Sequence, residues 1–281
     1  NLFKDMKKLA ILLSLAAALA MPLAAPAAQK HRKIAVQTYT FRNFTLEKTL
    51  DMLKTLPIDG VECYPGQTLS DKFPNVKVGP GMPKEAREYM KKLFADSGLK
   101  MVAFGVVGND STKTEKDIEA VCEFAKEMGA ERVLTENPVA RFPIWDRVGK
   151  TRGIKMCVHH HSMTSRNQYW DPDTLAKYSA GYENVSANPD IGHWSLCAIE
   201  PIGALKKLEG KFASLHFKDQ KEFGVPKNQC VVLGTGAFDM KGILAELDRQ
   251  GFDGFLTLEN ENIPSDPLPT IKACVDYLRT H

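Results

Sequence analysis

From Lys33 onward the chain alternates between two hydrophobic periods. Short apolar and β-branched runs recur at "IAVQTYT" (34–40), "GVECYP" (60–65), "KMVAFGVV" (100–107), "RVLTEN" (132–137), "IKMCVHHH" (154–161), "NVSANPD" (184–190), "FASLHFKD" (212–219) and "GFLTLEN" (254–260). Each has the length and composition of a buried strand. Between them, over 45–56, 83–97, 114–128, 143–151, 173–181, 199–210, 239–250 and 267–280, apolar positions return every three to four residues. That is the period of a helix burying one face. The punctuation agrees. Asp or Ser precedes the apolar period in "PDTLAKY" and "SDPLPTIKACVDYL", and Gly closes it in "LFADSGLK", "AKEMGAE" and "LDRQGFDG". These are the residues favoured at helix N-caps and at left-handed C-terminal positions. Eight strands alternating with eight helices predict a parallel sheet. Eight such units in about 250 residues predict a single (β/α)8 TIM barrel, with an open doubly wound sheet as the alternative. No linker or shift in composition marks a second domain.

The first residues follow a different pattern. In "MKKLAILLSLAAALAMPLAAPAAQK", Lys7 and Lys8 precede an apolar run to about Ala20, and Ala25-Pro26-Ala27 has the form of a cleavage site. Residues 1–27 are therefore expected to be a secretory signal peptide with Met6 as the true start. Residues 28–281 are expected to be one catalytic barrel domain, exported to a bacterial periplasm. The apolar run is too short for a membrane span and lacks stop-transfer flanks, so no stable span is expected in the mature chain. Loss of Lys4, Asp5, Lys7 and Lys8 reduces the formal net charge from +3 to +1. Such a balance argues against a polyanionic partner, and no nucleic acid is expected. Cysteines 63, 122, 157, 197, 230 and 274 form no C-x-x-C pair and read as buried free thiols, although export would permit disulfides. "LGTGAFD" (233–239) lacks the third glycine and preceding strand of a dinucleotide site, and predicts a turn entering a helix.

In a TIM barrel, chemistry sits at the C-terminal ends of the strands. Those ends carry Glu62, Glu136, His159 with His161, Asp190 with His193, His216 with Lys218, and Glu259. Burying several unpaired ionisable groups is costly, and one divalent ion compensates three or four of them at once. Side chains alternate along a strand, so His159 and His161 share a face, one as ligand and one as substrate contact, while His160 points away. His216 and Lys218 likewise face the same way. Glu136 and Glu62 have a second reading, as partners of a nearby Lys or Arg. A mixed His, Asp, His, Glu set suits Mn, Co, Ni, Zn or Mg without choosing among them. Tyr39, Phe41, Tyr64 and Trp194 are candidates for apolar walls around a sugar ring, or for core.

The phrases "IDGVECYP", "GIKMCVHHHS", "NPDIGHW", "LHFKD" and "LGTGAFDMKGILAELDRQGFDGFLTLENE", in this order and spacing, resemble the xylose isomerase-like TIM-barrel superfamily, often labelled sugar phosphate isomerase/epimerase. The resemblance spans nearly the whole mature chain. It implies one divalent metal ion at the barrel mouth, with Asp190, His216 and Glu259 as ligands and His159 where the family usually has Glu. In the ketose 3-epimerases of this superfamily that Glu is one of two proton-transferring bases. Here only the other, Glu259, is kept. His193 matches a residue that touches substrate, His161 matches a subgroup pattern, and Lys218 resembles a polar substrate contact. The expected catalytic residues are thus Glu259, His193, Lys218, His161 and Glu136, with Gln37, Glu62 and Trp194 as substrate contacts. The endonuclease IV branch needs extra His ligands after strands two and three, where this chain has "ECYP" and "GVVG".

A divalent ion chelating a carbonyl and the adjacent hydroxyl acidifies the C–H between them and stabilises an enediolate, and a strand-end Glu or His moves the proton. The expected activity is isomerase/epimerase-type chemistry on a non-phosphorylated sugar or glycoside, since no phosphate cradle is evident. The first alternative is a 3-keto-glycoside lyase, because one retained base suits elimination better than epimerisation. The second is a non-catalytic periplasmic sugar-binding barrel. The expected partners are a small-molecule carbohydrate and, as an assembly, a homodimer.

Overall fold

A computed structural model describes residues 31–163, 168–227, 229–262 and 265–281. The signal peptide expected over 1–27 lies outside the described residues. Eight parallel strands stand where the apolar runs place them: β1 Lys33–Gln37, β2 Gly60–Cys63, β3 Met101–Val107, β4 Arg132–Thr135, β5 Lys155–His159, β6 Val185–Asn188, β7 Ser214–Phe217 and β8 Phe255–Leu258. The helices are α1 Leu46–Leu53, α2 Lys84–Ser97, α3 Glu115–Glu127, α4 Phe142–Arg152, α5 Pro172–Ser179, α6 Ile191–Leu196, α7 Pro201–Lys207, α8 Met240–Arg249 and α9 Leu268–Thr280. The eight expected helices are all present. Helix α6, a six-residue turn after β6, is an addition, as is a small antiparallel pair between Asp219–Gln220 and Cys230–Val231. Both follow barrel strands at the mouth, and each is too short to show a hydrophobic period.

The ladder runs β6-β5-β4-β3-β2-β1-β8-β7. Two isolated parallel bridges, Ala187 with Phe212 and Asp190 with His216, close β6 onto β7, giving a (β/α)8 TIM barrel. At the seam Pro189 has no N–H to donate, but its carbonyl accepts from the His216 amide at 2.9 Å. The seam therefore sets Asp190 beside His216.

The helices pack an apolar layer onto the outside of the strands, including Leu50, Phe124, Trp145, Leu205 and Val275. The inside is filled by a small cluster of Ala103, Leu134 and Cys157, with polar side chains above it. Local rules place the helices. Thr114 and Asp117 form a reciprocal capping box on α3, and α2 ends at Gly98 with φ of 71°, where a side chain would strain the backbone. Trp145 on α4 is fully buried and donates from Nε1 to Asn137 Oδ1 at 2.8 Å. Asn137 in turn donates to Asn109 Oδ1 and Thr112 Oγ1, both at 2.8 Å. This lattice pins the loop after β4, so truncating Trp145 to alanine costs about 3–5 kcal/mol and loosens that strand end.

The Gly-x-Gly stretch curls around a carboxylate of the protein itself. Asp219 accepts from the amides of Gly234, Gly236 and Phe238 at 2.9, 3.0 and 3.3 Å. A Cβ on Gly236 would stand 2.3 Å from Asp219 Oδ1, which is the reason for glycine there. The loop is the turn into α8 that its sequence predicts. All six cysteines are free, four of them buried, and no described helix is long and apolar enough to cross a membrane.

Candidate active site

Every strand-end residue singled out above lies at the C-terminal mouth of the barrel, and their contacts sort them into distinct roles. His159 ends β5 and faces Asn188, its ladder partner on β6. His159 Nδ1 and Asn188 Oδ1 lie 2.8 Å apart, so the amide oxygen holds a proton on Nδ1 and leaves Nε2 free. Burial, with His216 and His161 close by, holds the His159 imidazole well below its ordinary pKa. It is neutral, as a metal ligand must be.

His216 on β7 has both ring nitrogens engaged. Nε2 lies 2.8 Å from Glu62 Oε1, while Nδ1 lies 3.1 Å from Glu259 Oε2 and 3.5 Å from Asp190 Oδ2. Glu62 is itself fully buried and accepts from Gln37 Nε2 at 2.6 Å. Burial opposes charge on His216, but Glu62, Glu259 and Asp190 raise its pKa well above the ordinary value, so an ion binding at His216 would have to displace its proton. Asp190 and Glu259 move the other way. Burial would raise them, and the Lys218 ammonium with neighbouring histidines pulls both well below the carboxylate range.

His159, Asp190 and His216 each offer one ligand atom within 4.8 Å of the others, and Glu259 stands next to His216. The donor set fits a divalent ion. It mixes imidazole nitrogen with carboxylate oxygen, and Asn188 and Glu62 each fix one nitrogen of a histidine and point the other inward, as the surroundings of metal-ligating histidines do. A second group, Glu136, His159 and His161, likewise brings one ligand atom from each residue within 4.8 Å of the others and shares His159 with the first.

Lys218, only 2% exposed, places Nζ 2.6 Å from Glu259 Oε2, 2.9 Å from Asp190 Oδ2 and 3.3 Å from Glu261 Oε2. The contact with Asp190 is an ion pair without hydrogen-bond alignment, since Oδ2 has no hydrogen-bonded partner. Glu261 is a residue that sequence reasoning missed. Its signal was parity, because it lies two positions after Glu259 and alternation returns it to the same side.

His161 lies just past β5 with its ring centre 5.0 Å from that of His159. Its Nδ1 makes a short hydrogen bond to Glu136 Oε1. Burial lowers its pKa, and Glu136 more than offsets this and raises it above the ordinary value. His193 is the contrasting case. It is buried, neither ring nitrogen has a hydrogen bond, and its ring centre lies 4.8 Å from that of His161. Burial and the Lys218 charge hold it below its ordinary pKa. Glu261 Oε2 and Asp190 Oδ2 face His193 Nε2 at 3.6 and 3.8 Å.

A cleft of about 360 Å³ opens over this cluster, lined by Gln37, Tyr39, Tyr64, His161, Glu259 and Glu261 among others. Tyr39 and Tyr64 meet edge to face, ring centres 5.2 Å apart, and supply its apolar wall. Two expected substrate contacts need correction. Trp194 is fully buried, stacks on His160 at 5.1 Å and donates to the Trp170 carbonyl, so it supports the site from behind. Glu62 has no exposed surface and acts on His216 instead. Phe41 is core as well. His160 points away from the cleft, accepts the Asp190 amide on Nε2 at 2.9 Å, and is kept neutral by burial at a pKa of about 3.

Comparison with known proteins places the chain in a family and supports its fold. The xylose isomerase-like TIM barrel family matches residues 50–281, and the chain belongs to that family. An inosose dehydratase of Mesomycoplasma hyopneumoniae (strain 7448) is 23% identical over 254 residues, covering 74% of this chain and 84% of that protein. A crystal structure of an uncharacterized protein from Parabacteroides distasonis superposes with a TM-score of 0.70 at 26% identity, covering 89% of this chain and 98% of the other. A xylose isomerase-like TIM barrel protein from Mycobacterium smegmatis, solved with magnesium, has a TM-score of 0.69 at 16% identity over 89% and 96%.

Proposed function

We propose that the chain is a divalent-metal-dependent enzyme that removes the proton beside a carbonyl of a non-phosphorylated sugar or glycoside. The family and its dehydratase relatives support an enzyme of the isomerase/epimerase type acting on carbohydrates. The finer reading is carried by one observation. His161 lines the cleft with Glu136 hydrogen-bonded behind it, and its ring stands beside that of His159 in the donor set of His159, Asp190 and His216.

A divalent ion held by His159, Asp190, His216 and Glu259 would polarise a carbonyl and acidify the neighbouring C–H. The remaining steps belong to the protein. His193, neutral and with both nitrogens unbonded, is the group able to take a proton. His161, whose proton is secured by Glu136, is the group able to deliver one to an oxygen that departs or is re-formed. Two neighbouring imidazoles pushed apart in pKa are an acid and a base. Tyr39 and Tyr64 offer apolar faces to a sugar ring. Among the described residues the cleft lining holds Glu259 and Glu261 and no Lys or Arg, and Lys218 is already engaged by these two carboxylates, which supports a substrate without a phosphate.

The asymmetry of this pair favours elimination as the second reading. Two matched carboxylates suit epimerisation, whereas a histidine acid beside a histidine base suits loss of a leaving group, as in 3-keto-glycoside lysis. Export to the periplasm remains part of the proposal and accords with a glycoside substrate. The test is proton NMR in D2O with Mn, Co or Ni, a panel of free ketoses and 3-keto-glucosides, and EDTA controls. Metal-dependent loss of the C–H signal beside the carbonyl supports proton abstraction. Aglycone release with an unsaturated sugar selects the lyase, and exchange without release selects the isomerase or epimerase. Absence of exchange with every substrate would overturn the proposal in favour of a binding role.

A further inference from the structure

We propose that Lys218 is a tethered cation that competes with the divalent ion for Asp190 and Glu259, and that Glu261 is the carboxylate to which it withdraws when an ion binds. The inference rests on the metal reading above and adds a control on affinity to it.

Three observations carry it. The ammonium contacts Asp190 Oδ2 and Glu259 Oε2 at 2.9 and 2.6 Å, and these same carboxylates are needed as ligands, so an arriving ion must displace it. A third carboxylate is already within reach, with Glu261 Oε2 at 3.3 Å, and it is the only one of the three outside the donor set. The route of the side chain is also shaped for it. Gly192 on α6 lies under the stem, and a Cβ there would stand 2.3 and 2.4 Å from Lys218 Cγ and Cδ. With no side chain at 192, the stem can lie across the helix and reach the carboxylates from below. A lysine serving only as a substrate contact needs an exposed ammonium, and this one is buried.

In the apo state the tethered charge offsets two buried carboxylates that would otherwise face each other. In the loaded state the lysine–Glu261 pair stands beside the ion, and Glu261 reduces repulsion between the two cations. Affinity for the ion is therefore set by a balance within the protein as well as by the ligands.

The experiment titrates the purified mature chain with Mn2+ alone and follows free Mn2+ by electron paramagnetic resonance, with no substrate present. Thermal melts confirm that each variant is folded. Lys218→Met is expected to bind Mn2+ about tenfold more tightly than wild type, and Glu261→Gln about tenfold more weakly. The double variant separates displacement from simple charge. If Glu261 acts through the lysine, its replacement has little effect once Lys218 is Met, whereas independent charges would give additive shifts. Binding by Lys218→Met when wild type binds none would also support the proposal. Additive effects, or a folded Lys218→Met that binds no more tightly than a binding-competent wild type, would overturn it. Should Lys218→Met fail to fold, unchanged or tighter binding by Glu261→Gln overturns it, and weaker binding supports it. If no folded variant binds Mn2+ or any other divalent ion offered, the metal reading fails and this inference falls with it.

Discussion

Replacing Glu62 by glutamine isolates the effect of one buried charge on the candidate metal site. The two side chains have nearly the same shape, and Glu62 is fully buried with Oε1 2.8 Å from His216 Nε2 and 2.6 Å from Gln37 Nε2. Glutamine retains an oxygen acceptor and removes the charge. The bond from His216 then becomes a neutral one, roughly half as strong as its charge-assisted form, and Nδ1 becomes a poorer donor. Loss of such a supporting partner weakens metal binding about 10- to 100-fold, which corresponds to about 1.4–2.7 kcal/mol. The assay is Mn2+ titration by calorimetry at fixed pH, with thermal melts as control. A folded Glu62→Gln whose Mn2+ affinity equals that of wild type would refute the view that Glu62 orients His216, and with it the inward role given to Nδ1.

Three further outcomes follow from the geometry. His161→Gln should lower turnover about a hundredfold or more and leave Mn2+ affinity within threefold or so; equal losses in both would make His161 a ligand instead of an acid. Thiol titration of the native protein should find Cys197 and Cys230 reacting first. Cys63, Cys122, Cys157 and Cys274 should be slow, since they are buried where Cys197 and Cys230 are partly exposed, and burial lifts Cys122 to about 12 and Cys274 to about 11; fast labelling of all six would contradict the packing. Asp59 joins β1 to α9 through the Ile34 amide and Arg279. Burial raises its pKa, and these bonds together with His31 outweigh it and leave it below 3.8. Its contribution is present above that value and is lost as pH falls through the depressed one. Asp59→Asn should therefore unfold with a shallower dependence on acid pH, measured by denaturant midpoints between neutral pH and the acid limb.

Local pattern alone placed the eight strands and eight helices of the barrel, because burial of one face imposes a period that each segment carries by itself. The parity of β5 was equally local. His159 and His161 turn toward the site and His160 turns away, as alternation along an extended chain requires. The triad of His159, Asp190 and His216 was visible as strand ends once a barrel was expected.

Other features depended on closure of the sheet. Glu62 and His216 are 154 positions apart on strands that are not ladder neighbours, and they meet only because the barrel folds its interior onto itself. The same closure buried Trp194 behind His160, where an aromatic next to a site histidine gives no sign of which side it will take. It also drew Lys218 into three carboxylates, and an isolated lysine at a strand end carries no mark of being buried. Hydrophobic period is a property of a segment and survives in sequence. Which polar groups share a desolvated interior depends on strand order and the seam at Pro189, and those are settled by the tertiary structure.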